Sequence, residues 1–277
     1  MLKRILVVLD ASETAKAAKR YALQLAKTMQ AQVTGIGIID TPWITAAQPE
    51  PLGGAAYKIH RDKTVIRKTR ARIQEMLKKF TDDCLEAGVD CQVQEMEGFP
   101  AMEIETLSQE HDLIIIGKTT DFHFDLDEDT DLTVKHITHD NPRPLLVVSD
   151  EKITGDTVLI AYDGSLQAAR SLHMYLLLGI GKGKKTRILS ICRRQEEANR
   201  IAKRAETMCA YHGLEAISEG IATFRSPEKI IIEKCGEYNA CMIVMGAYGE
   251  QSLKEIFFGS CTEHVMKKSK VPLFIHH

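Results

Sequence analysis

Three glycines and a serine in the second half of the chain have the spacing of a phosphate-binding loop. They form the pattern Gly-x2-Gly-x9-Gly-Ser, directly after an apolar run that ends at Met245. Glycine lets backbone N–H groups approach phosphate oxygens closely, and a serine hydroxyl adds a donor. A helix predicted from Glu263 adds the favourable dipole of its amino end. The pattern therefore predicts a phosphate-binding loop that needs no lysine, formed by Gly246, Gly249, Gly259 and Ser260.

Asp163 is the candidate for a second ligand contact. It follows the first apolar run of the second half, Thr157 to Tyr162, which we predict to be a strand. Open α/β sheets bind ligands at the carboxyl ends of their strands, so Asp163 is placed to contact a ribose or an adenine. Ser165 stands just before a helical run, and its side chain is expected to cap that helix.

The unit Asp-x-Ser-x-x-Ala occurs twice, since Asp10, Ser12 and Ala15 recur 153 residues later as Asp163, Ser165 and Ala168. Two further matches follow in the same order. They pair Asp112–Gly117 with Cys241–Gly246, and Arg143–Val147 with Val271–Ile275. Three matches in one order indicate two copies of one fold.

Each copy alternates short, continuously apolar runs with longer segments of helical period, which is typical of parallel strands buried on both faces. We therefore predict an α/β protein with two tandem Rossmann-like, doubly wound domains, each with a five-stranded parallel sheet flanked by helices. The domains are placed at 1–150 and 154–277, with 149–156 as the linker. The strands predicted in the second copy are Thr157–Tyr162, Arg187–Ile191, Glu215–Ile221, Cys241–Met245 and Val271–Ile275.

With these motifs, both copies resemble the universal stress protein fold, and the whole chain is similar to the tandem members of that family. The resemblance implies ATP, or else ADP or AMP, bound between Asp163 and the glycine pattern, with Mg²⁺ as a further expectation. It implies that the nucleotide-binding residues are Ala161, Asp163, Ile191, Met245, Gly246, Gly249, Gly259, Ser260, Cys261 and Thr262. Ala161 and Ile191 would lie along the base, and Cys261 and Thr262 would offer further donors.

The resemblance also implies that the fifth strands of the two copies, 145–149 and 273–277, pair across a pseudo-twofold axis. The chain would then form within itself the dimer that is usual in the family. The sequence leaves open whether two chains form a further dimer. The apolar content of both strands supports the pairing, since an exposed apolar edge invites aggregation.

The first copy departs from the glycine pattern. Gly117 is kept, but the stretch from Lys118 to Lys135 contains no glycine. It carries six acids instead, namely Asp121, Asp125, Asp127, Glu128, Asp129 and Asp131. Two like charges about 8 Å apart repel by roughly 0.5 kcal/mol in water, so this stretch is expected to reject a triphosphate. A weak calcium or magnesium site is the less favoured alternative, because Thr130 stands where a calcium loop needs glycine.

The composition of the chain argues against nucleic acid and membrane as partners. The formal net charge is −2 at pH 7, so the basic balance typical of nucleic-acid binding is absent. No apolar stretch approaches the roughly 20 residues of a membrane span, and the amino-terminal apolar run is too short for a signal peptide. We therefore expect a cytoplasmic protein without membrane or nucleic-acid partners. The seven cysteines show no metal-binding spacing and are expected to be reduced, mostly buried thiols.

Two other functions stay open beside nucleotide binding in a stress or regulatory protein. A slow ATP hydrolase or phosphoryl-transfer enzyme would need a neutralising charge and an oriented nucleophile, and only Glu250, Lys254 and Glu255 are near the motif. The other alternative is a protein-interaction scaffold that binds no nucleotide. No catalytic and no metal-binding residue is assigned.

The first copy also contains two long segments whose structure the sequence predicts. Tyr57–Ala87 is predicted to be one long helix whose apolar stripe includes Ile59, Ile73 and Phe80. Thr41–Ala56, with its prolines and glycines, is predicted to be a loop.

Overall fold

The computed structural model describes residues 1–46, 55–120, 122, 137, 141–247 and 260–277. In the first half the strands are β1 Arg4–Val8, β2 Gln32–Ile39, β3 Cys91–Glu97, β4 Leu113–Gly117 and β5 Leu145–Val148. The helices of this half are α1 Glu13–Met29, α2 Thr41–Ile44, α3 Ala55–Ala87 and α4 Pro100–Ser108.

Among the described residues, the second half also has five strands, each joined to the next by one helix. Its strands are β6 Thr157–Ala161, β7 Lys185–Cys192, β8 Ile217–Ala222, β9 Ala240–Gly246 and β10 Leu273–His276. Its helices are α5 Leu166–Leu178, α6 Gln195–Tyr211, α7 Pro227–Glu237 and α8 Ser260–Lys268. The predicted α/β class with two Rossmann-like copies is confirmed.

All ten strands belong to one sheet in the order β3-β2-β1-β4-β5-β10-β9-β6-β7-β8. Within each half the neighbours are parallel, and the two halves join where β5 runs antiparallel to β10. Leu146 lies opposite Phe274 in this pair, and both side chains are buried. The predicted pairing of the fifth strands is confirmed, and it fuses the two predicted sheets into one.

Helices cover both faces of the sheet, and each face has its own apolar core. One core packs α1, α3, α5 and α6 against the sheet, and the other packs α4, α7 and α8. The serine caps occur as predicted. The Ser12 hydroxyl accepts a hydrogen bond from the Ala15 N–H, and the Ser165 hydroxyl accepts one from the Ala168 N–H. Each cap fixes the start of a helix at the carboxyl end of the strand before it.

The segment predicted as a loop at Thr41–Ala56 is partly helical, so that prediction is wrong at both ends. Thr41–Ile44 forms a short helix because the Asp40 side chain accepts a hydrogen bond from the Trp43 N–H at 2.9 Å. At the other end α3 already begins at Ala55.

The long helix of the first half runs almost as predicted, but its apolar stripe does not extend to the first turns. Ile73 and Phe80 are fully buried, whereas Ile59 is 57% exposed. The amino-terminal turns of α3 therefore project past the core that the rest of the helix covers.

Strand ends in the second half lie within two residues of the prediction. β7 begins two residues before Arg187, and β10 begins at Leu273 rather than Val271. All seven cysteines are free thiols, of which Cys84, Cys209 and Cys241 are buried and the other four are half-buried. The expectation of mostly buried thiols was thus too strong.

Residues 149–156 carry no helix or strand, and the domain limits at 150 and 154 stay a prediction. Within the described residues, no helix is long and apolar enough to cross a membrane. The same part of the chain holds no group of three or more potential metal ligands. The acidic stretch of the first copy, with its weak metal-site alternative, lies outside the described residues.

Candidate functional site

A cavity of about 170 Å³ opens at the carboxyl ends of β6, β7 and β9, the edge at which parallel sheets place their ligands. Strand ends supply its floor, and the start of α5, α7 and α8 supply its rim. The described residues that line it are Ala161, Tyr162, Asp163, Ser165, Ala168, Leu189, Ile191, Pro227, Ile231, Met245, Gly246, Cys261 and Thr262.

Asp163 supplies the one carboxylate among these lining residues. Its Oδ1 atom accepts a hydrogen bond from the Ser165 N–H at 2.9 Å, and Ser165 in turn caps α5. The Asp163 side chain is exposed, and among the described residues no hydrogen bond to its Oδ2 atom is found. One oxygen therefore fixes the carboxylate at the start of α5, and the other is available to accept from a ligand hydroxyl or amine.

The wall beside Asp163 is apolar. Ala161 and Ile191 are half-buried at the ends of β6 and β7, and Ile231 and Met245 close the cavity from α7 and β9. Ligand sites of this kind combine apolar walls with a few placed polar groups. This wall with a carboxylate at its edge suits a flat, weakly polar ring that carries a hydrogen-bond donor.

Gly246 lines the cavity, but its lack of a side chain has a packing cause as well. A Cβ atom at this position would stand 2.6 Å from the Ala168 backbone nitrogen in the first turn of α5. The same holds in the first copy, where a Cβ at Gly117 would stand 2.6 Å from the Ala15 nitrogen. The close approach of helix to strand therefore explains why both copies keep this glycine, although only the second keeps the rest of the pattern.

Helix α8 brings Cys261 and Thr262 to the cavity. The Thr262 hydroxyl donates to the Gly246 carbonyl at 3.3 Å, which ties α8 to the end of β9. Burial, followed by the nearby carboxylates of Glu228 and Asp163, raises the pKa of the Cys261 thiol to about 12. Cys261 is therefore a neutral thiol at pH 7, without the character of a nucleophile.

Seven of the ten residues predicted for the site meet around this cavity, namely Ala161, Asp163, Ile191, Met245, Gly246, Cys261 and Thr262. Gly249 and Gly259 lie outside the described residues, and Ser260 is the first residue of α8. Glu250, Lys254 and Glu255, named for the enzymatic alternative, also lie outside them. The apolar wall is thus described, whereas most of the predicted phosphate loop is not.

Helix α7 contributes to the cavity, although none of its residues was predicted for the site. Pro227 and Ile231 line the cavity although they stand more than 60 residues after Asp163. A signal was present, because a helix that follows a parallel strand begins at the carboxyl edge of the sheet. The proline that opens α7 at its first position marks that start.

In the first copy the equivalent wall is closed. Val8 ends β1 as Ala161 ends β6, and Val8 carries the larger side chain. The counterparts of the apolar lining are all 0% exposed, namely Val8, Ile36, Ile38, Ile104 and Ile116. Phe122, five residues after Gly117, is 2% exposed and belongs to the same buried cluster.

The surroundings of the matching aspartate in the first copy, Asp10, also differ from those of Asp163. Asp10 accepts from the Ser12 N–H at 2.6 Å, as Asp163 does from Ser165, but Asp10 is only 4% exposed. The apolar wall of the first copy is therefore closed to a ligand, and the Asp10 side chain is much less exposed than that of Asp163. The first copy is closed by apolar packing in addition to the acidic sequence that follows it.

The sequence and the fold both match known proteins of one family. The model of the universal stress protein family matches residues 1–121 and 155–277, and the chain belongs to this family. Universal stress protein Slr1230 of Synechocystis sp. is 23% identical over 286 residues, covering 98% of this chain and 99% of that protein.

Two further proteins are similar to this chain, one over nearly all of its length and one over a short part. A solved universal stress protein from Archaeoglobus fulgidus has a TM-score of 0.74 at 21% identity and covers 99% of this chain and 97% of its own. Universal stress protein MJ0577 of Methanocaldococcus jannaschii is 39% identical over 49 residues, which are 18% of this chain and 30% of that protein.

Proposed function

We propose that this protein binds one adenine nucleotide in its second copy, with ATP favoured over ADP and AMP, and acts as a cytoplasmic regulatory or stress-response protein. The observation that supports the proposal best is the cavity itself. It places the Asp163 carboxylate beside an apolar wall and next to Gly246, where the glycine pattern begins.

In this proposal the base lies against Ala161 and Ile191, and Asp163 accepts from the ribose hydroxyls. The phosphates extend toward Gly246 and the amino end of α8, which starts at Ser260. Backbone N–H groups at a helix start favour anions. No cation lines the described part of the cavity, so Mg²⁺ arriving with ATP would offset part of the phosphate charge.

One site per chain follows from the difference between the copies. The first copy buries its apolar wall completely and keeps Asp10 at 4% exposure. A nucleotide would have to displace packed side chains there before it could bind, at a cost of several kcal/mol. The second copy offers the same positions with Ala161 and Ile191 still accessible.

Binding is favoured over turnover by the chemistry of the described lining. Phosphoryl transfer needs charge neutralisation and an oriented nucleophile. The described lining residues include no lysine, arginine or histidine, and Cys261 is held neutral. A regulatory protein that retains its nucleotide therefore fits the site better than a hydrolase or a nucleotide-free scaffold.

The experiment is mass spectrometry of the ligand that co-purifies, together with calorimetry of ATP binding to matched variants. Asp163→Asn keeps an oxygen for the Ser165 N–H but removes the charge, and we expect at least a tenfold loss of affinity, about 1.4 kcal/mol. Asp10→Asn makes the same change in the first copy and should leave affinity unaltered. Gly259→Asp, which copies Asp131 of the first copy, should also abolish binding.

Each other outcome assigns a different function. Nucleotide that is bound and converted to ADP at a steady rate would favour the enzyme. Absence of both a co-purified nucleotide and measurable affinity would leave the scaffold. Equal losses in Asp163→Asn and Asp10→Asn would contradict the assignment of the site to the second copy.

A further inference from the structure

Lys118 belongs to the first copy, but its side chain binds a helix of the second. It directly follows β4, and its N–H donates to the Val148 carbonyl at 2.8 Å, which fixes its backbone beside β5. Its ammonium donates to the Lys267 carbonyl at 2.6 Å and to the Ser269 carbonyl at 3.2 Å. Both carbonyls lie at the carboxyl end of α8, so this contact joins the two copies.

The carboxyl end of α8 is a place where a lysine stabilises a helix. The last carbonyls of a helix have no partner within it, and they carry the negative end of the helix dipole. The Lys118 side chain is half-buried, and burial lowers the pKa of its ammonium, whereas the nearby carboxylate of Asp150 opposes this shift. A partly buried charge needs acceptors, so the two carbonyls stabilise the ammonium as it stabilises them.

The first copy also binds the turn that follows α8. The Ser149 hydroxyl donates to the Lys270 carbonyl at 2.7 Å, and the Glu151 carboxylate pairs with the Lys270 ammonium at 3.4 Å. The ion pair is exposed and contributes little, but Ser149 is only 7% exposed. Two largely shielded side chains of the first copy, Lys118 and Ser149, thus hold this end of the helix.

The other end of α8 reaches the nucleotide cavity. Cys261 and Thr262, in its first turn, line that cavity. The helix has nine residues, which at 1.5 Å per residue is a length of roughly 13 Å. Val265, near its middle, is 0% exposed against the sheet. Because a short packed helix moves as one element, a change at its carboxyl end would also shift the first turn at the cavity.

The second copy has no residue that could make the same contact. Gly117 corresponds to Gly246, so Lys118 corresponds to Ala247, whose methyl group cannot donate a hydrogen bond. The lysine is therefore present in the copy whose wall is closed, and it acts on the copy whose wall is open.

We propose that Lys118 is a positioning residue for the nucleotide site, which acts from the first copy by fixing α8 and so the placement of Cys261 and Thr262 at the cavity. This role depends on the nucleotide binding proposed above for the second copy. It gives the first copy a task despite its closed wall, since the first copy then completes the site of the second.

Calorimetry of ATP binding to full-length variants is the first test. Lys118→Met removes the donor but keeps a long side chain, and we expect the affinity to fall on the order of threefold. Lys118→Arg keeps a cation at this position and should retain most of the affinity. Ser149→Ala should weaken binding in the same direction, and it provides the test if Lys118→Met does not fold. Lys27→Met is the matched control, because Lys27 is an exposed lysine in the last turn of α1 and forms no ion pair within the described ranges.

Alkylation of Cys261 by iodoacetamide without nucleotide is the second test, and its result does not depend on ATP. Release of the carboxyl end of α8 should expose the thiol more often, so we expect Lys118→Met to raise the rate on the order of threefold. Cys91, half-buried in the first half, should react at an unchanged rate, which separates local release of α8 from a general loss of stability.

The two tests also separate this role from the proposed function. Absence of ATP binding by the wild-type protein would overturn both. Wild-type binding with equal affinities in Lys118→Met and Lys27→Met would overturn the role of Lys118 alone. An unchanged rate of Cys261 alkylation in Lys118→Met would also overturn that role, because α8 would then not be held by this contact.

Discussion

At the scale of single residues, the two copies show that one motif can have two surroundings. Asp10 and Asp163 each accept from the N–H of a capping serine two residues later. Asp163 is exposed at the mouth of a cavity, whereas Asp10 is only 4% exposed. The motif builds the strand-to-helix turn in both copies, and the neighbouring side chains decide whether a ligand can reach it.

Cys261 offers a chemical probe of the nucleotide cavity. Its raised pKa of about 12 makes alkylation by iodoacetamide slow at pH 8, because the thiolate is the reactive form. We expect saturating ATP to slow alkylation of Cys261 at least fivefold further, by covering the thiol. Peptide mapping by mass spectrometry measures this rate. Cys91, half-buried in the first half, is the internal control and should react at the same rate with or without ATP.

At the scale of elements, much of the fold could be predicted because its signals are local. Apolar runs predicted the strands, and Ser12 and Ser165 predicted where two of the helices begin. The cavity wall could be predicted only in part. Pro227 and Ile231 reach it from a helix far along the chain, and closure of the first copy depends on Phe122 packing among distant strands. Such contacts arise from tertiary packing, which no short pattern encodes.

Helix α4 and strand β2 are joined by a buried histidine that makes stability depend on pH. His111 Nδ1 donates to the Leu107 carbonyl at 2.7 Å, and Nε2 accepts from the Thr34 hydroxyl at 2.9 Å. Burial lowers the pKa of His111, so the folded protein holds it neutral. The unfolded chain takes up a proton near pH 6.5, and stability conferred by the neutral form is therefore lost as the pH falls below that value.

We expect the free energy of unfolding to decrease from pH 7 to pH 5, with His111 contributing part of that decrease. Urea denaturation at pH 7, 6 and 5 measures the slope. His111→Asn should be less stable at pH 7 and should show a flatter pH dependence than the wild-type protein. Parallel curves for the two proteins would show that His111 does not carry the effect.

At the scale of the whole molecule, the seam between β5 and β10 makes one continuous sheet from two copies. β5 pairs with β4 and β10, and β10 pairs with β9 and β5, so neither strand keeps a free edge. Phe274 is fully buried at this seam, with its ring 5.7 Å from that of Tyr175. A dimer of chains through the fifth strands is therefore excluded, and β3 and β8 are the sheet edges that remain.

Because β5 and β10 pair with each other within one chain, we expect the protein to be a monomer in solution. Light scattering after gel filtration should give a mass near 31.0 kDa at micromolar concentration. A mass of twice that value would show that another surface, such as an outer strand, joins two chains. That result would support the homodimer, which the sequence alone did not exclude.

We infer that the second copy is open to a nucleotide and that packing closes the first. Native mass spectrometry of the full chain with ATP measures it most directly, with the Ala161→Val variant alongside, since valine is the residue of the closed copy at this position. We expect one nucleotide per wild-type chain and a loss of binding in the variant. Two nucleotides per wild-type chain, or one retained at full affinity in Ala161→Val, would contradict it.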